Sequence, residues 1–210
     1  YSSIDEALNN SDAVTISTPT SLHYEHSIKC IEKGVHCFIE KPITDNYENA
    51  KEIIKLANEK NILVQVGHVE RFNPGLSQLS KYEMNPMFIE AHRLSQFKPR
   101  AIDVSVILDL MIHDIDIVLW LVKSKVKNIQ ANGVAVLTDT IDIANARITF
   151  ENNAVANLTA SRISMRQMRK MRIFQKNAYF SIDFAEKELE CYQLVDKDDN
   201  QQFGFEIGYN

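Results

Sequence analysis

The chain has 210 residues, of which 45% are hydrophobic and 24% are charged, and its formal net charge is −5 at pH 7. This length accommodates one large domain or two small ones with a packed core. The acidic balance argues against a broad nucleic-acid-binding surface. Residues 1–10 are polar and acidic, unlike a signal peptide, and the three cysteines (Cys30, Cys37 and Cys191) have no metal-ligand spacing. We therefore expect free thiols in a cytoplasmic protein.

Short apolar runs alternate with helical patterns in the first third of the chain. The predicted strands are 13–17, 35–39 and 62–66, and the predicted helices are 4–10, 21–33 and 45–61. This alternation is typical of a parallel, doubly wound sheet, in which ligands bind beyond the carboxyl ends of the strands. Three short segments lie at such ends: 18–20 (Thr-Pro-Thr), 40–42 (Glu-Lys-Pro) and 67–68 (Gly-His).

The pattern changes near residues 67–74, and we predict one domain over residues 1–70 and another over residues 71–210. A strand is predicted over 88–94. Alternating apolar and polar residues predict an antiparallel sheet with one covered face; they occupy 144–150, 156–161 and 178–183. The basic cluster formed by Arg162, Arg166, Arg169, Lys170 and Arg172 is predicted to span a loop between strands.

The first domain lacks one expected motif. A dinucleotide-binding domain normally begins with a strand, a glycine-rich turn and a helix, yet no Gly-x-Gly-x-x-Gly segment occurs in this sequence. Without a preceding unit, strand 13–17 would be an exposed hydrophobic sheet edge. We therefore interpret residues 1–70 as the C-terminal part of such a domain, with its first βαβ unit absent.

The apolar run 104–122 contains Asp109, His113, Asp114 and Asp116. It is long enough to cross a bilayer, but these ionisable groups argue against a membrane span. Asp109 and His113 are four residues apart, so on an α-helix they share one face. A carboxylate one turn before a histidine can hold its tautomer and raise its basicity, as a general base requires. The alternative is a structural hydrogen bond within a buried helix.

Four segments stand out by their order and spacing. They are Ser17–His23 (Ser-Thr-Pro-Thr-Ser-Leu-His), Gly34–Pro42 (Gly-Val-His-Cys-Phe-Ile-Glu-Lys-Pro), Gly67–Pro74 (Gly-His-Val-Glu-Arg-Phe-Asn-Pro) and Asp109–Asp116 (Asp-Leu-Met-Ile-His-Asp-Ile-Asp). Together they resemble the glucose–fructose oxidoreductase/inositol dehydrogenase (Gfo/Idh/MocA) family, over about residues 1–195. The last two are most similar to the UDP-N-acetylhexosamine 3-dehydrogenases of that family. The implied fold is a partial Rossmann-like parallel sheet followed by an open-faced antiparallel sheet with helices on one side.

The resemblance implies an NAD(P)-dependent oxidoreductase that oxidises a hydroxyl of a sugar or nucleotide sugar by hydride transfer. Lys41 and His113 are the implied catalytic residues, with His113 as the general base and Asp109 as the acidic residue one turn earlier. The positions implied to line the cofactor cleft are Ser17, Thr18, Pro19, His23, Glu40 and Lys41. No metal ligand is expected.

Four residues are candidates for substrate binding: Arg71, Asn73, Asp114 and Arg162. Arginine forks suit phosphate oxygens, so Arg162 and the basic cluster could attract the pyrophosphate of a nucleotide sugar; the alternative is a solvated basic face. Arg71 could equally be a solvated loop residue, and Asp114 could bond nearby backbone.

The resemblance also implies a homodimer or homotetramer assembled through the open sheet face. From the charge balance and the ionisable residues of the apolar run, we expect neither nucleic acid nor a membrane as a partner. Because the glycine-rich turn that binds the pyrophosphate is missing from these 210 residues, we expect them to bind NAD or NADP weakly on their own. A non-catalytic regulator that binds nucleotide or sugar, or an assembly protein of the same fold, is the alternative. The joint presence of Lys41, Asp109 and His113 argues against it, because a pure binder needs no base.

Overall fold

The computed structural model describes residues 3–99, 104–195 and 204–209. Contacts between Cα atoms divide the chain into two units, Tyr1–His68 and Val69–Asn210. Across the described ranges, every helix is too short or too polar to traverse a lipid bilayer.

The first unit is a three-stranded parallel sheet with accompanying helices. Its elements are α1 (Ile4–Leu8), β1 (Ala13–Ile16), α2 (His23–Glu32), β2 (His36–Glu40), α3 (Tyr47–Lys60) and β3 (Val64–Gly67), with a 3-10 turn at Thr20–Leu22 before α2. The strand order is β1-β2-β3, and both neighbouring pairs are parallel. The predicted alternation of strands and helices is therefore confirmed.

Local sequence signals explain the limits of α3. Asn46 precedes the helix, and its side chain accepts a hydrogen bond from the backbone N–H of the third helical residue, as N-cap residues do. Asn61 ends the helix in the left-handed conformation, with φ of 54°, which asparagine tolerates well. Ile53 and Ala57 lie one turn apart, are buried, and join Ile39 of β2 in the core of this unit.

The second unit contains a larger sheet. After a 3-10 turn at Val69–Phe72, its elements are α4 (Pro74–Ser77), a 3-10 turn at Gln78–Lys81, β4 (Phe88–Leu94), a π-helical segment (Ile107–Met111), α5 (Ile112–Val122), β5 (Val126–Val134), β6 (Ile143–Phe150), β7 (Val155–Ser161), β8 (Met168–Gln175), β9 (Ala178–Asp183), β10 (Glu188–Val195) and β11 (Gly204–Tyr209). Among the described residues the strand order is β11-β10-β9-β8-β4-β7-β6-β5. The predicted strand at 88–94 has the same limits as β4.

The predicted antiparallel sheet is observed with one parallel pair, which makes it mixed. β4 is antiparallel to β8 but parallel to β7, with Phe88 opposite Val155. Alternation of apolar and polar residues reports which face of a strand is covered, and it carries no information about the direction of the neighbouring strand.

The two faces of this sheet differ in the way the alternation predicts. On one face, Ile89, Leu158 and Ile173 are buried and share a core with Ile117 and Leu121 of α5. The covered face is therefore built by every second residue of the strands and closed by the apolar side of α5. This confirms the prediction of a sheet with helices on one side.

The opposite face carries an aromatic row that crosses four strands. The rings of Phe88 and Phe174 have centroids 5.9 Å apart, those of Phe174 and Tyr179 are 5.0 Å apart, and those of Tyr179 and Tyr192 are 5.6 Å apart. Such cross-strand aromatic pairs stabilise a sheet.

The predicted loop over the basic cluster is wrong in its second half, because β8 begins at Met168. Met171 and Ile173 are fully buried and alternate with Arg172 and Phe174. The basic residues conceal this alternation in the sequence, since Arg169 and Lys170 precede Met171 and Arg172 separates it from Ile173.

Candidate functional site

Three polar segments of the first unit follow the carboxyl ends of its strands, as predicted. Thr18 lies two residues beyond β1, Lys41 follows β2 directly, and His68 follows β3. Because Ile16 is opposite Ile39 in a parallel ladder, these strand ends lie along one edge of the sheet. Ligands of open parallel sheets bind at this edge.

Gly67 gives the Glu40 side chain room at this edge. A Cβ atom on Gly67 would lie 3.0 Å from Glu40 Oε2 and 3.0 Å from a ring carbon of Phe38, closer than such atoms normally approach. The glycine at the end of β3 therefore lets the Glu40 carboxylate rest against the backbone of the neighbouring strand.

His23, the first residue of α2, links two of the strand-end loops. It is 1% exposed, and its Nδ1 is 2.8 Å from the carbonyl oxygen of Pro42 while its Nε2 is 2.9 Å from the carbonyl oxygen of Thr18. Pro42 is buried and Lys41 is half-buried. The cofactor contact predicted for His23 stays a prediction.

In the second unit, the segment with Asp109 and His113 is not a regular α-helix. Ile112 donates its backbone N–H to the carbonyl of Ile107, five residues back, so Asp109 lies in a π-helical turn while His113 lies in α5. The wider turn changes the angle between the side chains of Asp109 and His113. Residues four apart share one face in an α-helix, and that relation therefore does not apply directly to this pair. The hydrogen bond between Asp109 and His113 stays a prediction. π-Helical turns are frequent at functional sites.

Asp114 lies in a buried charged cluster beside His113. Nη2 and Nε of Arg93 donate to the two carboxylate oxygens of Asp114 at 2.8 and 3.0 Å. Nη1 of Arg93 donates to Glu70 at 2.6 Å. The side chains of Arg93 and Asp114 are each 4% exposed, and that of Glu70 is 19% exposed. Burial raises the pKa of Asp114, and the guanidinium of Arg93 opposes that rise.

Two further predicted substrate-binding residues lie near this cluster. Arg71 donates from Nε to Asp116 at 2.7 Å and makes a second bond to the other carboxylate oxygen, with 45% of its side chain exposed; this pairing raises the pKa of Arg71. Asn73 is buried, accepts from the backbone N–H of Gly75 at 3.0 Å, and thereby caps α4.

Arg162 is buried rather than part of a solvated basic face. Its Nη2 donates to the carbonyl oxygens of Val104 at 2.6 Å and Ile141 at 3.2 Å, and its Nε is 3.6 Å from Asp142. Arg166 and Arg169 are exposed, so the solvated-face alternative holds for them and is wrong for Arg162.

Asp142 anchors the loop that joins β5 to β6. Burial alone would raise its pKa, but backbone N–H groups of Thr138, Val136 and Leu137, at 2.7–3.0 Å, and the hydroxyl of Thr138 donate to its carboxylate. These bonds outweigh burial and hold the pKa of Asp142 below its usual range.

The predicted site residues thus form separate groups. In the first unit, the structure joins His23 to the loops of Thr18 and Lys41. In the second, Asp114 and Asp116 of α5 are held by arginines. Glu70, Arg93 and Asp142 were not predicted. Arg93 has a detectable signal, because it occupies the same alternating positions of β4 as the buried Ile89 and Ala91.

Comparison with known proteins adds two family matches. Residues 1–68 match the family described as "Oxidoreductase family, NAD-binding Rossmann fold". Residues 81–181 match the "GFO/IDH/MocA C-terminal domain".

Individual relatives agree with these matches. The chain is 42% identical over 193 residues to UDP-N-acetylglucosamine 3-dehydrogenase from Acidithiobacillus ferrooxidans. This alignment covers 91% of the present chain and 62% of that protein. A solved structure of that enzyme, GnnA, aligns with a TM-score of 0.91 and 39% identity over 100% of this chain and 67% of its own. Scyllo-inositol 2-dehydrogenase (NAD(+)) from Bacillus subtilis is 30% identical over 169 residues, 73% of this chain and 49% of that protein. The chain therefore spans about half to two thirds of the length of these curated relatives.

Proposed function

Because this chain belongs to the GFO/IDH/MocA oxidoreductase family, we propose that its protein is a nicotinamide-dependent dehydrogenase that oxidises a hydroxyl of a nucleotide sugar of the UDP-N-acetylglucosamine type. The similarity to the Acidithiobacillus ferrooxidans enzyme carries this proposal. The presence of Lys41, Asp109 and His113 in one chain supports catalysis over binding alone, because a binding protein has no need of a base.

Oxidation of an alcohol removes a hydride from carbon and a proton from oxygen. We propose that His113 takes the proton, since a base with a pKa near the working pH does this best. Lys41 stabilises the alkoxide as it forms, as a cation does at a developing oxyanion. Asp109, or another group next to the ring, orients the imidazole of His113. The nicotinamide, when bound, supplies the hydride acceptor.

The strand-end loops of the first unit fit the nicotinamide end of such a cofactor. Ser17, Thr18, Pro19, Glu40 and Lys41 are half-buried or exposed and lie at the sheet edge where ligands bind. They offer hydroxyl, carboxylate and ammonium groups to a polar ligand. Parallel assays with NAD and with NADP identify the nucleotide that the protein uses.

Arg71 is the proposed substrate contact among the four predicted ones. Its side chain is 45% exposed, and its guanidinium makes two bonds to the carboxylate of Asp116, the arrangement in which arginine also binds phosphates. Asn73, Asp114 and Arg162 are buried and bonded within the protein, so we propose that they support the fold around α5 rather than touch substrate.

The test follows the absorbance of reduced nicotinamide in the complete gene product that contains this chain. NAD and NADP are each supplied with UDP-N-acetylglucosamine, with UDP-glucose as a sugar lacking the acetamide, and with scyllo-inositol. We expect turnover with UDP-N-acetylglucosamine, lowered about a hundredfold or more in His113→Asn and in Lys41→Ala. Near-normal turnover in both variants would refute the assigned roles. Binding of nucleotide sugar without any reduction would support the non-catalytic regulator.

We also propose a homodimer or homotetramer that assembles through the open face of the larger sheet. The aromatic row from Phe88 to Tyr192 supports this, because exposed aromatic surface is enriched at protein interfaces. Light scattering of the wild type and of Phe174→Glu tests it. A monomeric wild type, or a variant with unchanged mass, would overturn the assembly proposal.

A further inference from the structure

We propose that His23 is a positioning residue that ties the segment carrying Lys41 to the loop that follows β1. The catalytic consequence rests on the proposed function, because it requires Lys41 to act on the substrate. The tie itself is a property of the first unit and can be tested without turnover.

The two nitrogens of the His23 ring contact two different loops. Its nitrogens lie 2.8 Å from the carbonyl oxygen of Pro42 and 2.9 Å from that of Thr18. Carbonyl oxygens only accept hydrogen bonds, so the ring can hold either loop only by donating an N–H to its carbonyl. With the side chain 1% exposed, no bulk water competes for these bonds, which makes each of them costly to lose.

The two carbonyls belong to loops that the strand ladder no longer holds together. The last described pair between β1 and β2 joins Ile16 to Ile39. Thr18 and Pro42 lie beyond this pair, and the imidazole bridges them there. The ring thus continues the link between neighbouring strands past the point where backbone pairing stops.

The helix that carries His23 is packed into the core of the first unit. His23 begins α2, whose Cys30 and Ile31 are buried in the core of the first unit. A side chain mounted on a packed helix holds its partners more precisely than one on a loop. The carbonyl of Pro42 is one residue from Lys41, so a shift of the Pro42 carbonyl moves the start of the lysine side chain as well.

This geometry predicts a specific kinetic effect. A displacement of about 1 Å in a catalytic group can lower the rate about a hundredfold. We expect His23→Leu to lower kcat about tenfold to a hundredfold, while KM for the sugar and Kd for the nucleotide change less than about threefold, because the ring contacts protein carbonyls. His23→Gln keeps a single donor nitrogen and is expected to lie between His23→Leu and the wild type.

The matched control is His36→Gln. His36 lies at the opposite end of β2, where its Nδ1 accepts from the backbone N–H of Leu63 at 3.1 Å. It is a half-buried histidine bonded to backbone, but it is remote from the carboxyl edge of the strand. We expect its kcat to stay within about twofold of the wild type.

A second measurement, hydrogen exchange by mass spectrometry, reads the tie directly. Peptides covering residues 17–20 and 41–46 are expected to exchange faster in His23→Leu than in the wild type or in His36→Gln. Peptides from α3 are expected to keep their protection, which shows that the unit is folded. If His23→Leu fails to fold, the same comparison is made with His23→Gln.

The outcomes separate the two proposals. Faster exchange in both loops with a selective loss of kcat supports the positioning role. Unchanged exchange in a folded His23 variant overturns the tie, and a loss confined to nucleotide affinity makes His23 a cofactor contact instead. A wild type without turnover defeats the proposed function, while hydrogen exchange still decides whether His23 holds the loops.

Discussion

Replacing Arg93 by methionine is expected to lower the free energy of unfolding of the second unit by about 3–5 kcal/mol. The guanidinium makes three hydrogen bonds of 2.6–3.0 Å to Asp114 and Glu70. Removing it leaves the Asp114 carboxylate, with a side chain only 4% exposed, without its cation. Most of the expected cost is the penalty of that uncompensated buried charge, since an intact buried pair contributes little net stability.

This reasoning makes a second, less intuitive prediction. Adding Asp114→Leu to Arg93→Met removes the stranded carboxylate, so the double variant is expected to be more stable than Arg93→Met alone. The matched control is Arg172→Met. Arg172 of β8 pairs at 3.1 Å with Glu90, which lies in β4 as Arg93 does. The side chains of Arg172 and Glu90 are 46% and 34% exposed, so the expected loss of unfolding free energy is below about 1 kcal/mol.

Trp120 makes the measurement specific to the second unit. It is the only tryptophan of the chain and lies in α5, the helix that carries Asp114. Urea unfolding followed by its fluorescence avoids assuming that both units unfold together. With an m-value of about 2 kcal/mol per M, the expected shift in midpoint for Arg93→Met is about 2 M. A shift as small as that of Arg172→Met would refute the idea that Arg93 neutralises buried charge.

Three further predictions concern pH, thiol chemistry and cofactor affinity. The pKa of Asp142 is lowered in the folded protein, so its ionised form stabilises the fold at pH values above the ordinary pKa of a carboxylate, and this contribution is lost as the pH falls. The urea midpoint should therefore decrease more between about pH 7 and pH 3 for the wild type than for Asp142→Asn. Burial and the neighbouring Cys30 raise the pKa of Cys37 to about 12, so iodoacetamide at about pH 7 should leave Cys37 unmodified until denaturant is added, and rapid native labelling would contradict this. A nucleotide fluorescence titration of the 210 residues alone should show weak or undetectable NAD binding, and micromolar affinity would contradict the expectation based on the missing glycine-rich turn.

The elements that the sequence predicts well are those with a strong local period. β9 has identical predicted and observed limits, since apolar and polar residues alternate along it without interruption. β8 was missed because arginine and lysine occupy its outward positions. The π-helical turn at Ile107–Met111 was also missed, because an insertion of one hydrogen-bonding step leaves the apolar run intact while it rotates every side chain that follows.

The residues of the candidate site also differ in how well the sequence predicts their surroundings. The strand-end positions of Thr18 and Lys41 follow from the order of strands and helices, which the sequence shows. The partners of His23, Asp114 and Arg162 do not, because each bond joins segments that are distant in the chain. Periodicity identifies which residues are buried, but tertiary structure decides which carbonyl or carboxylate each buried polar group meets.

The place of β4 in the larger sheet has a consequence for synthesis of the protein. Its neighbours are β7 and β8, and Phe88 pairs with Val155, so the ribosome adds the intervening segment, for roughly 3–13 s, before β4 can pair with its native partner. During that interval the side chains of Ile89 and Ala91, which are buried in the folded protein, belong to a segment without its native partner strands. An inward-pointing charge is a known guard against aberrant strand pairing, and Arg93 lies on that face. We therefore expect the same guanidinium that neutralises carboxylates in the mature protein to oppose aggregation of the nascent chain while β4 is still unpaired.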